Sequence, residues 1–307
     1  MIRILLLMLS ALTALPALGW NDVGHMAVAA IAYDRLSPEA RARVRALLKL
    51  NPDHAGWIAA AGSNDADKVA FMRSAYWPDD IKFKDDYKSD KQGSSGAEKV
   101  IGYADKARHK YWHYKDIPFT ADGTGLPKHA KTPNAQTQIA TMRDLLSSQA
   151  TDDVKSYSLA WLNHLVGDVH QPLHASARFS KEHPEGDGGG NDVTVCASKC
   201  GSLHAFWDDA VGATRTKEDP IPKALKVQQR LASFQVDPKQ AAKSTESIWI
   251  SESSGLARKY AYAKPVGTGA DSFKLDQTYR TNAGSIAEKR IALAGVRLAN
   301  LINDHLK

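Results

Sequence analysis

The stretch that most constrains this chain is Trp161–His174, in which ionisable side chains alternate with large apolar ones. His164 and Asp168 are four residues apart, so a helix would place imidazole and carboxylate on one face, one turn from each other. Pro172 lacks an N–H and clashes with the preceding turn, so the helix must end near it and His174 follows a bend. Taken alone, each residue is better explained as a polar side chain on a buried helix face. Together they favour a bound metal ion, because burying so many ionisable groups is costly unless something pairs with them.

The first residues of the chain have the composition of an export signal. Arg3 supplies a basic start, residues 4–15 an apolar run, and residues 17–19 a small-residue cleavage site. The apolar run is too short to span a bilayer comfortably, and no later stretch approaches a spanning length. We therefore expect a signal peptide over residues 1–19 and a single exported domain over residues 20–307.

Charge and cysteine content narrow the range of possible functions only slightly. The chain has 40 basic and 34 acidic residues, an excess far below the dense basic stripe of a dedicated nucleic-acid-binding protein. Cys196 and Cys200 are four residues apart, and in an exported protein we expect them to close a small disulfide loop. A two-cysteine metal site is the alternative, although structural zinc sites usually gather four such ligands.

The remaining pattern predicts a mainly α fold. Polar loops are expected over residues 84–108 and 185–192, an extended strand over the alternating residues 111–116, and one arm of a hairpin over Val193–Val195. Strand signal is otherwise sparse, so we expect a single multi-helix domain with a small β-hairpin. The predicted helices are residues 26–36, 37–50, 64–76, 132–149, 152–170, 202–208, 221–234, 238–262 and 285–302.

Further side chains with the chemistry of metal ligands occur outside the central segment. They are His25, Asp79, His113, His204 and Asp208, and the last two repeat the four-residue spacing. In order and spacing, the segments that carry them resemble the S1/P1 family of zinc-dependent nucleases. The resemblance covers residue 20 to about residue 210 and rests on Trp20–His25, Trp77–Asp79, His113–Asp116, His164–His174, Gly189–Asn191 and Leu203–Asp208. The chain has no Asn-X-Ser/Thr sequon, which fits a bacterial-type member without N-glycans.

The resemblance implies a fold like that of zinc phospholipase C and P1 nuclease, with three zinc ions as cofactors. One zinc would be bound by the residues matching Asp79, His113, His164 and Asp168, and a second by those matching His174, His204 and Asp208. The third would be bound by the α-amine and carbonyl of Trp20, by His25 and by the shared Asp168. Cleavage would then have to fall between Gly19 and Trp20, because a peptide nitrogen is a poor metal ligand and an α-amine a good one.

The activity implied is that of an endonuclease that cleaves single-stranded RNA and DNA to products with 5′-phosphates, with 3′-nucleotidase as a further activity. Asp79 and Asp168 would organise the ions around a metal-bound hydroxide. Lys82 matches a usually basic position that stabilises the charged transition state; an ordinary surface lysine is the alternative.

Substrate contacts follow from the same resemblance. Tyr114 would stack on a nucleobase, with Asp116 and Asn191 as hydrogen-bonding partners of the substrate. Alternatively, Tyr114 packs in the core and Asp116 ends a strand. Asp209 stands where fungal members often have Asn, which leaves base preference open.

Two other functions remain under consideration at this point. A zinc phospholipase C would use a similar scaffold, although relatives of that type tend to have Glu at the position of Asp208. Asp208, Lys82 and Asp116 favour the nuclease over the phospholipase. A zinc-binding export protein without turnover is the other alternative, but the motif residues fit a catalytic geometry. We expect single-stranded nucleic acid and nucleotides as substrates, no membrane association, a monomer, and a secreted or periplasmic location.

Overall fold

Helices make up most of the described chain, which confirms the predicted mainly α class. The computed structural model describes residues 19–214 and 218–306, so the predicted signal peptide lies outside the described residues except for Gly19. No helix within these two ranges is long and apolar enough to cross a membrane. The helices are α1 Asp22–Tyr33, α2 Pro38–Leu48, α3 His54–Ala59, α4 Ala66–Ser74, α5 Trp77–Asp80, α6 Ala135–Ser147, α7 Asp152–Asp168, α8 Leu203–Asp208, α9 Ile221–Leu231, α10 Pro238–Ala241, α11 Glu246–Leu256 and α12 Gln277–His305.

Side-chain caps set where several helices begin. Ser37 accepts a hydrogen bond from the backbone N–H of Ala40, and Pro38 occupies the first turn of α2, as the sequence predicts. Thr151 caps α7 in the same way. Asp276 caps α12, which therefore begins at Gln277, eight residues before the predicted start at residue 285.

Helix α7 runs through the centre of the core. All of its residues from Ser156 to Asp168 are buried, and the α1 helix is almost as deeply enclosed. The α1 and α12 helices approach closely at Gly295, where a Cβ atom would lie 2.5 Å from Cγ2 of Ile31. A side chain at position 295 would push α1 away from α12. It would thereby also move the N-terminal residues away from the rest of the core.

Two small sheets complete the fold. β1 (Ile117–Thr120) pairs in parallel with β2 (Ser176–Phe179), with Ile117 opposite Ser176. β3 (Thr194–Cys196) and β4 (Cys200–Ser202) form the predicted hairpin, and β5 (Phe273–Lys274) pairs with β3. The Cys196–Cys200 disulfide closes the hairpin, so the alternative of a two-cysteine metal site is wrong.

The strand predicted over residues 111–116 is wrong. Lys110–Trp112 form a 3-10 turn, and the strand begins only at Ile117. Tyr111 and Trp112 are both buried, whereas neighbouring side chains of a strand point to opposite faces. The ring of His109, which has a φ of 43°, stacks on Trp112 with a centroid distance of 3.6 Å. Core packing of adjacent aromatic rings therefore overrides the local alternation.

Two helix predictions also need correction. The helix expected over residues 238–262 is divided into α10 and α11, followed by a π-helical turn over Ala257–Ala261. The α7 helix ends at Asp168 rather than at residue 170, because the chain turns into a 3-10 segment, Pro172–Ala175.

Candidate metal centre and active site

Six separate elements deliver the predicted ligands to one buried place. α1 carries His25, α5 Asp79, and α7 both His164 and Asp168, while α8 carries His204 and Asp208. His113 follows the 3-10 turn Lys110–Trp112, and His174 lies in the 3-10 segment after Pro172. Every one of these side chains is at most 5% exposed.

Asp168 lies at the centre of the cluster, with both carboxylate oxygens facing imidazoles. Its Oδ2 is 3.0 Å from Nε2 of His164 and 3.1 Å from Nδ1 of His113. Its Oδ1 is 3.3 Å from Nε2 of His25 and 3.6 Å from Nδ1 of His174. Asp168 can thus contribute ligand atoms in two directions, as the predicted bridging role requires.

The first potential metal group combines His113, His164 and Asp168, whose ligand atoms lie within 4.8 Å of one another. Nδ1 of His164 is 2.7 Å from the carbonyl oxygen of Ala75. Because a carbonyl only accepts, Nδ1 carries a proton, and Nε2 is the nitrogen that can bind a metal. Oδ1 of Asp79 lies 3.8 Å from both Nε2 of His164 and Nδ1 of His113, which places the fourth predicted ligand beside this group.

The second group combines His174, His204 and Asp208, again with ligand atoms within 4.8 Å. Nε2 of His204 is 3.0 Å from Nε2 of His174 and 3.7 Å from Oδ2 of Asp208. Gln171 donates a hydrogen bond of 2.7 Å to Oδ1 of Asp208, which fixes the carboxylate. Gln171 was not predicted, although an amide inside the most informative segment of the sequence was a signal for such a role.

The third group combines His25, Asp79 and His164, and the chain before α1 enters it. Trp20 is fully buried. A Cβ atom on Gly19 would lie 1.6 Å from Oδ1 of Asp168 and 2.9 Å from Nε2 of His25. The junction between Gly19 and Trp20 therefore lies at the cluster.

The donor set fits a bound metal. Several buried polar atoms here have no hydrogen-bond partner within the described residues, namely Nδ1 and Nε2 of His25, Oδ2 of Asp79, Nε2 of His113 and Oδ1 of Asp168. Such atoms are costly inside a protein unless a cation pairs with them. Imidazole and carboxylate ligands without thiolate are a combination that suits zinc.

Electrostatics in the cluster also favour metal binding. Burial lowers the pKa of His25 to about 4 and that of His113 to about 3, so both rings are neutral, as ligands must be. Burial raises the pKa of Asp168, but His164 and His174 outweigh it and hold that pKa well below its usual range. Burial raises the pKa of Asp208 well above its usual range, so this carboxyl group needs a nearby cation to ionise.

Lys82 is buried beside the cluster, so the alternative of an ordinary surface lysine is wrong. Its side chain follows α5 and donates a hydrogen bond of 2.6 Å from Nζ to Oδ1 of Asp79. Although burial raises the pKa of Asp79, Lys82 and the neighbouring histidines lower it to about 2. A fixed positive charge therefore adjoins the potential metal groups.

An open cavity of about 330 Å³ lies against the second group. Tyr114, Asp116 and Asn191 line it together with His113, His174 and His204. Tyr114 is 37% exposed, so it does not pack in the core, and Asp116 precedes β1 rather than ending a strand. Burial, together with the charge of Asp187, raises the pKa of Asp116 to about 7. Nδ2 of Asn191 donates to the carbonyl oxygen of Gly188 at 2.7 Å.

Asp209 has a partner that sequence reasoning missed. Its Oδ1 accepts a hydrogen bond of 2.8 Å from Nδ2 of Asn21, the residue that caps α1. This contact joins the residue after Asp208 to the residue after Trp20. It gives Asp209 a structural partner near the cluster.

A helical domain with three groups of buried histidines and aspartates beside an open cavity has the construction of a multinuclear metallohydrolase. A family model described as S1/P1 Nuclease matches residues 20–307, and the chain belongs to this family. Endonuclease 3 of Arabidopsis thaliana is 29% identical over an alignment covering 94% of this chain and 89% of the relative. Endonuclease 4 of the same plant is 28% identical over the same shares of the two chains. Nuclease S1 of Aspergillus oryzae is 25% identical, with 92% of this chain and 90% of the relative covered.

Membership in this family settles the class of enzyme. The chain is a phosphodiester hydrolase of the nuclease type, and its substrates are nucleic acids. The structure contains groups of His and Asp side chains that can hold metal.

Proposed function

We propose that this protein is an exported, zinc-dependent endonuclease that hydrolyses single-stranded RNA and DNA to products with 5′-phosphates, and that it also acts as a 3′-nucleotidase. Three zinc ions would be bound in the cluster, with Asp79 and His164 of the third group serving as ligands of the first ion. Asp79, His113, His164 and Asp168 would bind one, His174, His204 and Asp208 another, and His25, Asp168 and the amine and carbonyl of a mature N-terminal Trp20 the third.

The observation that carries this proposal is the contact of 3.0 Å between Nε2 of His174 and Nε2 of His204. Nδ1 of His174 lies 2.8 Å from the carbonyl oxygen of His113, and Nδ1 of His204 lies 2.8 Å from that of Gly189. Both Nδ1 atoms donate, so when the two rings are neutral their Nε2 atoms present lone pairs to each other. A cation between them, with Asp208 as a further ligand, turns this repulsion into attraction.

The chemistry that bound zinc supplies is a lowered pKa of water and neutralisation of phosphate oxygens. In the net reaction, a bond forms between the water oxygen and phosphorus, the bond from phosphorus to the 3′-oxygen breaks, and that oxygen takes up a proton. Lys82 would stabilise the negative charge that develops on the phosphate, since a fixed cation in a dry site acts strongly there.

The cavity residues would position the substrate. The partly exposed ring of Tyr114 provides a stacking surface for a base, and stacking contributes about 1–3 kcal/mol per base without sequence preference. Asp116 and Asn191 would hydrogen-bond to the base or sugar. A carboxyl group with a pKa of about 7 can either donate or accept near neutral pH, so Asp116 would tolerate different base edges.

Export is proposed from the N-terminal sequence and the disulfide. The Cys196–Cys200 bond suits an oxidising compartment. Cleavage after Gly19 would give Trp20 the α-amine that the third zinc requires.

The test compares hydrolysis of single-stranded DNA, single-stranded RNA and phosphatidylcholine by the mature protein, with and without a chelator. We expect both nucleic acids to be cleaved, no release of phosphocholine, and loss of activity with chelator that zinc restores. Products should lose their terminal phosphate to a phosphatase without further bond cleavage, and end-labelling should place it at the 5′ end.

A His204→Ala variant, paired with His54→Gln as a control at a half-buried histidine that lines neither cavity, links the activity to the cluster. Nuclease activity that survives chelation would overturn the zinc mechanism. Cleavage of the lipid alone would establish a phospholipase, and bound zinc without turnover on any substrate would establish a metal-binding protein.

A further inference from the structure

The open cavity beside His174 and His204 is called here the catalytic cavity. A second cavity, of about 360 Å³, adjoins it. Tyr114, Asp116 and Gly188 line both spaces, so the two cavities are neighbours that share these residues as a wall. We propose that this second space, called here the side groove, binds the nucleotides next to the one whose phosphodiester is cleaved. This inference rests on the proposed function and adds to it an extended binding site for a strand.

The side groove has surfaces for both parts of a nucleotide. Its apolar wall is formed by Pro118, Pro127 and Phe179. Its cationic groups belong to Lys115 and Lys131. Tyr114 borders both spaces, so its aromatic ring is available to bases on either side. Sites for single-stranded nucleic acid combine cationic groups along the backbone with aromatic rings for the bases, which is the combination present here.

The charges have a definite arrangement around the groove. Nζ of Lys115 donates a hydrogen bond of 3.0 Å to the carbonyl oxygen of Asp116, which holds this ammonium group beside a residue that lines both cavities. Lys131 lines the groove from the segment before α6. Asp116 and Glu185 also line it, and their carboxyl groups would repel phosphate but accept hydrogen bonds from base amino groups. Phosphates are therefore placed toward the lysines and bases toward the acids.

Hydrogen bonds hold the groove's backbone in place. Nε2 of Gln92 donates to the carbonyl oxygen of Pro133 at 2.8 Å, which ties the loop before residue 100 to the segment before α6. Nδ2 of Asn134 donates to the carbonyl oxygen of Lys131 at 2.9 Å, and the same buried side chain caps α6. Lys131 therefore projects from a fixed backbone, which reduces the entropy lost when a strand binds.

The test uses two substrates of different length, the dinucleotide TpT and a thymidine octanucleotide, with the full mature enzyme. The octanucleotide reaches beyond the catalytic cavity, whereas TpT can be held there alone. For the wild type we expect a KM for the octanucleotide about 10-fold below that for TpT. Lys131→Ala should reduce this ratio about 3-fold and weaken the salt dependence of octanucleotide binding by about one phosphate contact.

Lys128→Ala is the matched control, because it removes an exposed lysine from the same segment without touching the groove lining. It should leave the ratio unchanged. The side groove is wrong as a subsite if Lys131→Ala matches Lys128→Ala, or if it changes TpT and the octanucleotide equally. Those outcomes leave the proposed function intact, whereas a wild type that cleaves neither substrate overturns the function itself.

Discussion

Nε2 of His174 faces Nε2 of His204 at 3.0 Å, and both rings are fixed in place by donation from Nδ1 to backbone carbonyls. Neither ring can turn without losing that hydrogen bond. The backbone thus imposes a geometry that is unfavourable for two neutral rings by themselves and favourable around a cation. Stability and metal binding are expected to be coupled in this protein.

Removing the metal should therefore lower the melting temperature. Ligand bound at about 100 times its dissociation constant stabilises by about 2.7 kcal/mol per site, which corresponds to a shift of roughly 4–5 °C per site in a domain of this size. Thermal unfolding with excess zinc and with excess chelator measures the shift.

His204→Ala provides the internal check on this prediction. It should bind one zinc ion fewer by elemental analysis and show a smaller chelator effect than the wild type. A melting temperature that does not respond to chelator would show that the cluster is stable without metal.

Replacing Lys82 should reduce turnover without removing metal. Nζ of Lys82 donates a hydrogen bond of 2.6 Å to Oδ1 of Asp79. Loss of one fixed charge beside a developing oxyanion typically lowers kcat by about 100-fold or more. Lys82→Met preserves most of the side chain's length and packing but removes the charge, while Lys82→Arg keeps it. We expect kcat to fall about 100-fold in the first variant and less in the second, with zinc content unchanged in both. Loss of zinc together with activity would instead assign Lys82 a role in holding Asp79.

Much of the site could be predicted because its ligands obey local geometry. Four residues separate His164 from Asp168 and His204 from Asp208. Once a helix is predicted for each segment, this spacing also predicts that the two side chains lie on one helix face, one turn apart. Pro172 marks the bend before His174. Whether the two pairs lie close together depends on how α7, α8 and the 3-10 segment pack. Sequence spacing alone does not predict this packing.

What could not be predicted depends on contacts between distant residues. The β2 strand at Ser176–Phe179 exists through pairing with Ile117–Thr120, and its sequence has no strong strand pattern. The turn at Lys110–Trp112 is stabilised by burial of Trp112 in the core, where its ring packs against Trp161 of α7 at a centroid distance of 4.9 Å. By contrast, the early start of α12 had a readable signal, because Asp276 is a favourable N-cap residue.

The length of the N-terminus should determine how many zinc ions bind. The peptide of Gly19 lies against Asp168 and His25, where an added Cβ atom would be 1.6 Å from Oδ1 of Asp168. A protein that begins at Trp20 should bind one more zinc ion per chain than a protein that begins at Gly19, and should be much more active. Elemental analysis and single-stranded DNA hydrolysis on the two purified forms measure this. Equal zinc content and equal turnover would contradict the proposed role of the α-amine.

The buried imidazole of His109 should make stability depend on pH. Its Nε2 lies 2.8 Å from Oδ2 of Asp105, and its Nδ1 lies 2.8 Å from Oδ2 of Asp90. Burial lowers the pKa of His109, but hydrogen bonds to Asp105 and Asp90 outweigh it, so the pKa is raised above 6.5. The stabilisation from the protonated ring is fully present below the unfolded-state pKa and is lost as the pH rises through the folded-state pKa.

Replacing His109 should consequently lower the free energy of unfolding more at acidic pH than at alkaline pH. Hydrogen bonds to charged groups contribute about 1.5–3 kcal/mol, so His109→Gln should lower the free energy of unfolding by about 2 kcal/mol near pH 6. The difference from the wild type should shrink as the pH rises from 6 toward 9 and the wild-type ring loses its proton. Urea unfolding of both proteins at the two pH values measures this, and subtracting the curves removes the contribution of the metal-binding histidines, which both proteins share. His129→Gln, at an exposed position, should differ little from the wild type at either pH. A difference for His109→Gln that is the same at both pH values would mean that the ring stabilises the fold through its packing on Trp112 rather than through its charge.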